Sequence, residues 1–266
     1  GTFYEVPFWI VGQAPLYTKM RPVSTHNKQI SDFTTWNGLL VLAGLKSNTS
    51  PSSRIFNSPD ETLEKAQINK YNKLINLVKP KNGDKILEIG CGWGGFAEQA
   101  ADTGRHVTGI TISPSQKGYA DARLDGRADI LLQDYRKTSG TFDSIVSIEM
   151  IEAVGERYWP NYFATIKARL SQTGNAVLQA ITVPDAEFAR YRKSSDYIRQ
   201  YTFPGGMLLS KEVIAKQAKR AGLQVTNSHA FGTDYARTCS MWDTRMTEQE
   251  KRIKKLGYDD AFLRNW

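Results

Sequence analysis

What the 266-residue sequence lacks narrows it first. Two cysteines, Cys91 and Cys239, are too few for a disulfide framework or a cysteine metal cluster, so a reducing cytoplasm is the expected setting. Three histidines, His26, His106 and His229, fall without ligand spacing; they read as structural or surface residues, and no metal is expected. The longest apolar run worth testing, WNGLLVLAGL at 36–45, falls well short of the roughly 20 residues that span a bilayer. No basic stretch followed by an apolar core opens the chain, so no signal peptide is expected, and no repeat or low-complexity tract occurs. Charge, by contrast, is in excess. A net charge of +8 and a pI near 9.3 favour anionic partners, nucleic acid or phospholipid headgroups, without choosing between them. A mean hydropathy of −0.45 fits a soluble globular chain, long enough for one α/β catalytic unit with an attached subdomain.

From residue 85 short β-branched runs alternate with helical stretches, the signature of βαβ units and a parallel sheet. KILEIG (85–90), HVTGITI (106–112), ADILLQDY (128–135), FDSIVSIEM (142–150) and NAVLQAITV (175–183) read as five strands, and LQVTNSHAFG as a sixth. Ser113 and Pro114 mark one helix start, Pro160 sits near the first turn of another, and Gly222 ends the basic helix KEVIAKQAKRAG. The expected fold is α/β, a doubly wound, mostly parallel, Rossmann-like sheet. Two regions break the alternation. Residues 1–84 read as an N-terminal lid or substrate region, partly helical, whose helical stretch SPDETLEKAQINKYNKLINLV is opened by a capping-box-like Ser58-Pro-Asp-Glu61. Residues 184–209 read as a lid inserted into the 85–242 domain, and 243–266 as a helical tail.

The glycine loop ILEIGCGWGGF follows the first strand directly, where an open α/β sheet binds its ligand. Its spacing, Glu88-x-Gly90-x-Gly92-x-Gly94, differs from the dinucleotide fingerprint and lacks the Lys-Ser/Thr of a phosphate loop. An acidic residue two places before the first glycine repels a pyrophosphate but suits an ammonium or sulfonium. The pattern resembles motif I of S-adenosylmethionine (SAM) methyltransferases of class I.

GCGWGG, VTGITISPSQ, LLQDYR, FDSIVSIEMIEAVG, YTFPGG and FGTDYARTCSMW together resemble the cyclopropane-fatty-acyl-phospholipid synthases, which include the mycolic acid cyclopropane synthases; the likeness runs from about Ser52 to Trp242. The resemblance implies a cytoplasmic enzyme, peripheral at the inner membrane face. It would transfer a methyl group from SAM to the cis double bond of a phospholipid acyl chain and give a cyclopropane or methyl-branched product through a carbocation. Phospholipid acyl chains at the membrane surface would be its partners, with no nucleic acid, and a homodimer is compatible with it. It further implies that Glu88, Gly90, Gly92, Trp93 and Gly94 meet SAM, that Thr111, Ile112 and Gln116 lie around its ribose and adenine, and that Gln133 and Asp134 lie at the adenine edge. Glu152, Tyr235 and Ile181 would form a bicarbonate pocket. Without the resemblance, Glu152 reads as a strand-end cap, Tyr235 as a core tyrosine and Asp134 as the N-cap of a surface turn.

Three departures bear on that pocket: Gln179 stands where the family usually has histidine, Ala153 follows Glu152 where histidine is common, and Pro51-Ser52-Ser53-Arg54 replaces a Tyr-Ser-Cys segment. Gln179 and Ser53 thus join the candidate catalytic set, and bicarbonate is the cofactor these changes put in question. Arg190, Arg192, Lys193 and Arg199 in the insertion, and Lys211, Lys216, Lys219 and Arg220 after it, could face headgroups or merely solvent. FYEVPFWIVG could touch lipid or pack on the core. A small-molecule N- or C-methyltransferase of the same superfamily is the alternative reading.

Overall fold

The computed structural model describes residues 2–3, 6–10, 52–81, 83–197, 199–200 and 205–265. WNGLLVLAGL, His26, Pro51 and the YTFP of YTFPGG lie outside the described residues.

Strands form where aliphatic and β-branched residues run together. The first two, β1 (Thr2–Phe3) and β2 (Val6–Ile10), precede α1 (Leu63–Val78); then come β3 (Lys85–Ile89), α2 (Gly95–Ala101), β4 (His106–Thr111), α3 (Pro114–Leu124), β5 (Asp129–Leu132) and β6 (Phe142–Ile148). The second half holds α4 (Trp159–Arg169), β7 (Leu170–Thr182), α5 (Asp185–Lys193), α6 (Lys211–Arg220), β8 (Gln224–Val225), β9 (Ser228–Ala230), α7 (Gly232–Glu248), α8 (Glu250–Lys255) and α9 (Asp260–Asn265). The sheet order is β5-β4-β3-β6-β7-β1-β8, with β2 continuing the β1 track between β7 and β9, and all pairings are parallel.

The chain moves outward from β3 through β4 to β5, then returns to place β6 on the other side of β3. Where the order reverses, helices leave to opposite faces and a crevice opens beyond the carboxyl ends of β3 and β6. Side-chain alternation fills both faces. Ile86 joins Tyr71, Leu74, Phe96 and Leu124 beneath α1, α2 and α3, while Leu87 and Ile89 join Trp159, Tyr162, Phe163 and Ile166 beneath α4. Each such side chain contributes about 1.5–3 kcal/mol when fully buried. The α4 layer is also pinned by polar links: Tyr162 donates to Ser147 Oγ at 2.8 Å, and Ser147 to the Ile89 carbonyl at 3.1 Å.

Several element ends differ from the pattern reading. The third strand stops at Leu132, because Asp134 caps a 3-10 turn over Tyr135–Lys137. The fifth begins at Leu170, five residues early, since the backbone turns extended straight from the end of α4. The sixth is split into β8 and β9 because its partners, β1 and β2, are themselves separate. FYEVPFWIVG thus contributes strands to the sheet. Helix α1 is capped by Thr62, whose Oγ1 accepts from the Lys65 amide at 3.2 Å, rather than by Ser58. Glu61 instead accepts from the Asn57 amide at 2.6 Å and closes a turn ahead of the helix. The boundary expected at 242/243 falls inside α7. At the root of the 184–209 insertion, Val183 donates to the Leu209 carbonyl at 2.9 Å. Among the described residues no helix is long and apolar enough to cross a membrane.

Candidate active site

The glycine loop leaves β3 and folds over β4, the amides of Gly90 and Cys91 both donating to the Ile110 carbonyl at 3.0 Å. Gly90, Gly92 and Gly94 all have positive φ, 81°, 53° and 80°, the left-handed region that favours glycine. Their surroundings differ. A Cβ on Gly90 would stand 2.9 Å from Met150 Cγ, so this glycine admits the segment leaving β6. A Cβ on Gly94 would press on α3, 3.1 Å from Ala120 Cβ, whereas one on Gly92 would meet nothing within 4 Å. Gly92 therefore presents backbone to the crevice, and Gly94 packs the loop down. Trp93 is buried, its ring edge-on to Tyr119 at 5.4 Å.

Glu88 lies beneath the loop, 2% exposed, on the α1 face. Burial pushes its carboxyl well up; Lys70 and the Ala97 amide oppose that. Thr111 accepts from the Ser113 amide at 3.1 Å and donates to Gln116 Oε1 at 2.7 Å, holding Gln116 at the end of β4. Beside it Ile112, 47% exposed, offers an apolar edge. The Gln133 amide donates to the Thr111 carbonyl at 2.8 Å, which aligns the ends of β4 and β5. Asp134 is committed to its turn: it accepts from the Arg136 amide and side chain at 2.9 Å, and Arg136 holds its carboxyl below the ordinary range.

Across the crevice, Ser53, Gln179, Ile181, Glu152 and Tyr235 gather around Glu149. This residue, first beyond β6, has φ +47°. Its amide donates to the Gln179 carbonyl at 2.8 Å. Its Oε1 accepts from the Ser53 amide at 3.2 Å, the Ser53 hydroxyl at 2.9 Å and Gln179 Nε2 at 2.7 Å. Glu152 Oε1 accepts from the Ile181 amide at 2.5 Å; burial, then the charge of Glu149, push its carboxyl up to about 8. Tyr235 arrives from α7, hydrogen-bonded to Cys239; burial and Glu149 push its hydroxyl up. Behind this wall Lys70, fully buried, donates to Ser52 Oγ, and burial lowers its ammonium to about 7.

Seven buried polar atoms here have no hydrogen-bond partner among the described residues: Arg54 Nη1, both amide atoms of Gln67, Glu88 Oε2, Trp93 Nε1, Glu152 Oε2 and Gln179 Oε1. Buried polar groups are paired as a rule, so the unpaired atoms of Glu88, Trp93, Glu152 and Gln179, at or just beyond the carboxyl ends of β3, β6 and β7, fit a polar ligand. The amino-acid end of SAM is of that kind. Sequence reasoning missed Glu149 and Lys70. Lys70 was legible, since it shares the buried stripe of Leu63, Ala66, Tyr71 and Leu74 on α1.

The switch point between β3 and β6 and the glycine loop over it define the class I SAM-dependent methyltransferase fold. Residues 43–266 match the family model described as mycolic acid cyclopropane synthetase, and the chain belongs to that family. It is 36% identical over 210 residues to the tuberculostearic acid methyltransferase UfaA1 of Mycobacterium tuberculosis, covering 77% of this chain and 49% of that one. To the cyclopropane-fatty-acyl-phospholipid synthase of Escherichia coli K12 it is 36% identical over 206 residues, covering 77% and 52%. The chain thus spans about half the length of the curated relatives it matches. In fold it resembles the cyclopropane synthase MmaA2 from Mycobacterium tuberculosis (TM-score 0.79, 23% identity, 88% of each chain). It is similarly close to the mycolic acid cyclopropane synthase CmaA1 solved with S-adenosylhomocysteine (SAH) and CTAB (TM-score 0.77, 23% identity, 87% of each chain).

Proposed function

We propose that this chain methylates the cis double bond of an unsaturated fatty acyl chain in a phospholipid, giving a cyclopropane or methyl-branched product. Family membership supports the reaction class, and one observation carries the reading to this chain: among the described residues the wall holds the carboxyl groups of Glu149 and Glu152 and the ring of Tyr235, with the Cys239 thiol hydrogen-bonded to Tyr235 and the Lys70 amine turned away onto Ser52. An alkene is a feeble nucleophile. Its site must hold it in line with the methyl donor and shelter a developing cation without offering a competing nucleophile.

SAM, when bound, supplies an electrophilic methyl group on sulfur. In this reading the Gly90 to Gly94 loop and Trp93 hold its amino-acid end above Glu88, while Thr111 positions Gln116 beside the ribose, with Ile112 and Gln133 against the adenine. Asp134 acts through its turn, keeping Gln133 in place. Glu152 and Tyr235 bound the space for the acyl chain, Ile181 fixes Glu152 through its amide, and Ser53 and Gln179 complete the wall. The acceptor is reached at the inner membrane face, where the chain sits peripherally; the exposed cations Lys216, Lys219 and Arg220 favour anionic headgroups.

Incubation with SAM and vesicles of monounsaturated phosphatidylglycerol, followed by mass spectrometry, tests this. A gain of one CH2 on the unsaturated chains, matched by SAH formation, is the expected result, and unchanged lipids with a folded, SAM-binding protein would sink the proposal. NMR of the product then separates ring from methyl-alkene.

A further inference from the structure

The wall holds more carboxyl groups than the sheet needs, and their settings differ. Glu149 adopts φ +47°, a conformation costing a non-glycine residue about 1–2 kcal/mol. The strain holds a carboxylate at the carboxyl end of β6, half-buried, with Oε1 facing three donors from Ser53 and Gln179. Three donors on one oxygen require it to be an acceptor, which suits the ionised group. Oε2 makes no hydrogen bond among the described residues. One oxygen is anchored and the other is available.

The neighbouring groups that face Glu149 are held towards their protonated forms. The carboxyl of Glu152 is pushed up to about 8, and the hydroxyl of Tyr235 and the thiol of Cys239 are shifted upward too, in each case by burial first and then by the charge of Glu149. Lys70 is turned to Ser52 behind the wall.

We infer that Glu149 is the base of the reaction, a carboxylate supplied by the chain itself, so that no bicarbonate ion is required. This rests on the proposed methylation of an acyl double bond. After methyl transfer one chain carbon is a cation, and a C–H bond must break to neutralise it. Glu149 Oε2 takes the proton. If it leaves the transferred methyl group, the C–H electron pair closes a three-membered ring; if it leaves the chain carbon beside the cation, the pair forms a C=C bond. Taking the proton converts Glu149 to the neutral acid, and its later release of that proton to solvent regenerates the carboxylate. Ser53 and Gln179 are positioning residues, holding Oε1 so that Oε2 faces the chain.

A merely structural Glu149, tying Ser53 to the sheet, would be replaced by glutamine without loss, because the amide oxygen still accepts from the Ser53 and Gln179 donors. The test measures lipid product and SAH binding for the wild-type chain and Glu149→Gln, in buffer stripped of carbon dioxide and with bicarbonate added. Expected are wild-type turnover independent of bicarbonate within a factor of about two, and a loss of about a hundredfold or more in Glu149→Gln with SAH binding unchanged. Wild-type turnover in Glu149→Gln overturns the inference, as does a wild-type rate that collapses without bicarbonate and returns with it. If Glu149→Gln fails to bind SAH, Glu149→Gly, suited to the positive φ, decides: loss restored by millimolar formate or bicarbonate supports the inference, and retained activity or loss without rescue overturns it. A wild-type chain that binds SAH but makes no lipid product overturns the proposed function and this inference together; product from both wild type and Glu149→Gln overturns this inference alone.

Discussion

Glu152 sits with one oxygen on the Ile181 amide and the other buried without a partner among the described residues, which sets how stability responds to pH. Its folded pKa of about 8 lies above the ordinary carboxylate value, so between the two the folded state binds a proton that the unfolded state has released. Stability from this group is therefore full below the unfolded value and is lost as pH rises towards 8. Glu152→Gln keeps the acceptor for Ile181 and cannot ionise, so we expect its urea midpoint to fall less than that of the wild type between pH 5 and 8, by an amount equivalent to a few kcal/mol at most. Parallel curves would show that Glu152 does not titrate in this window. The Glu149-x-x-Glu152 spacing is visible in the sequence, yet the division between them is not. It depends on which carboxyl meets the Ser53 and Gln179 donors and which is enclosed, and those donors lie 96 and 30 residues from Glu149.

At the scale of elements, the three loop glycines look equivalent in sequence and are not. Gly94→Ala combines a left-handed φ with a contact on Ala120, and should cost about 1–2 kcal/mol or more, a melting shift of several degrees, with SAH affinity little changed. Gly92→Ala meets no protein atom, so its stability cost should be the smaller and its SAH dissociation constant should rise by about tenfold or more. Calorimetry and titration on both variants check the ranking, and the reverse order would place the ligand elsewhere. Helix and strand identities were legible from periodicity and from Ser113, Pro114, Pro160 and Gly222. Their ends were less so, because caps are decided by competition. Thr62 wins over Ser58 once Glu61 is engaged by Asn57 and Asn69.

For the whole molecule, the net charge of +8 has an uneven local expression. In the insertion, Arg190 pairs with Glu187 and Arg192 with Glu156, and Arg199 is turned onto the carbonyls of Tyr191 and Ser194. Lys216, Lys219 and Arg220 on α6 are exposed and make no ion pair among the described residues. Cosedimentation with phosphatidylglycerol vesicles should therefore fall as salt is raised from about 0.1 to 1 M, where the screening length shrinks from about 10 to 3 Å. A triple charge reversal at these positions should weaken it at low salt, and binding indifferent to both changes would exclude electrostatic docking through α6.

By itself the sequence determined the α/β class, the order of most strands and helices, the glycine loop and the residues from which the site is drawn, because periodicity, turn chemistry and motif spacing are local properties. Only the tertiary structure decided that β1 and β2 join the sheet beside β7, that Gly94 packs while Gly92 faces the crevice, and that Glu149 stands at the centre of the wall. Each of those outcomes turns on contacts between residues far apart in the chain, and on a backbone conformation at Glu149 that only the meeting of Ser53, Gln179 and β6 can hold.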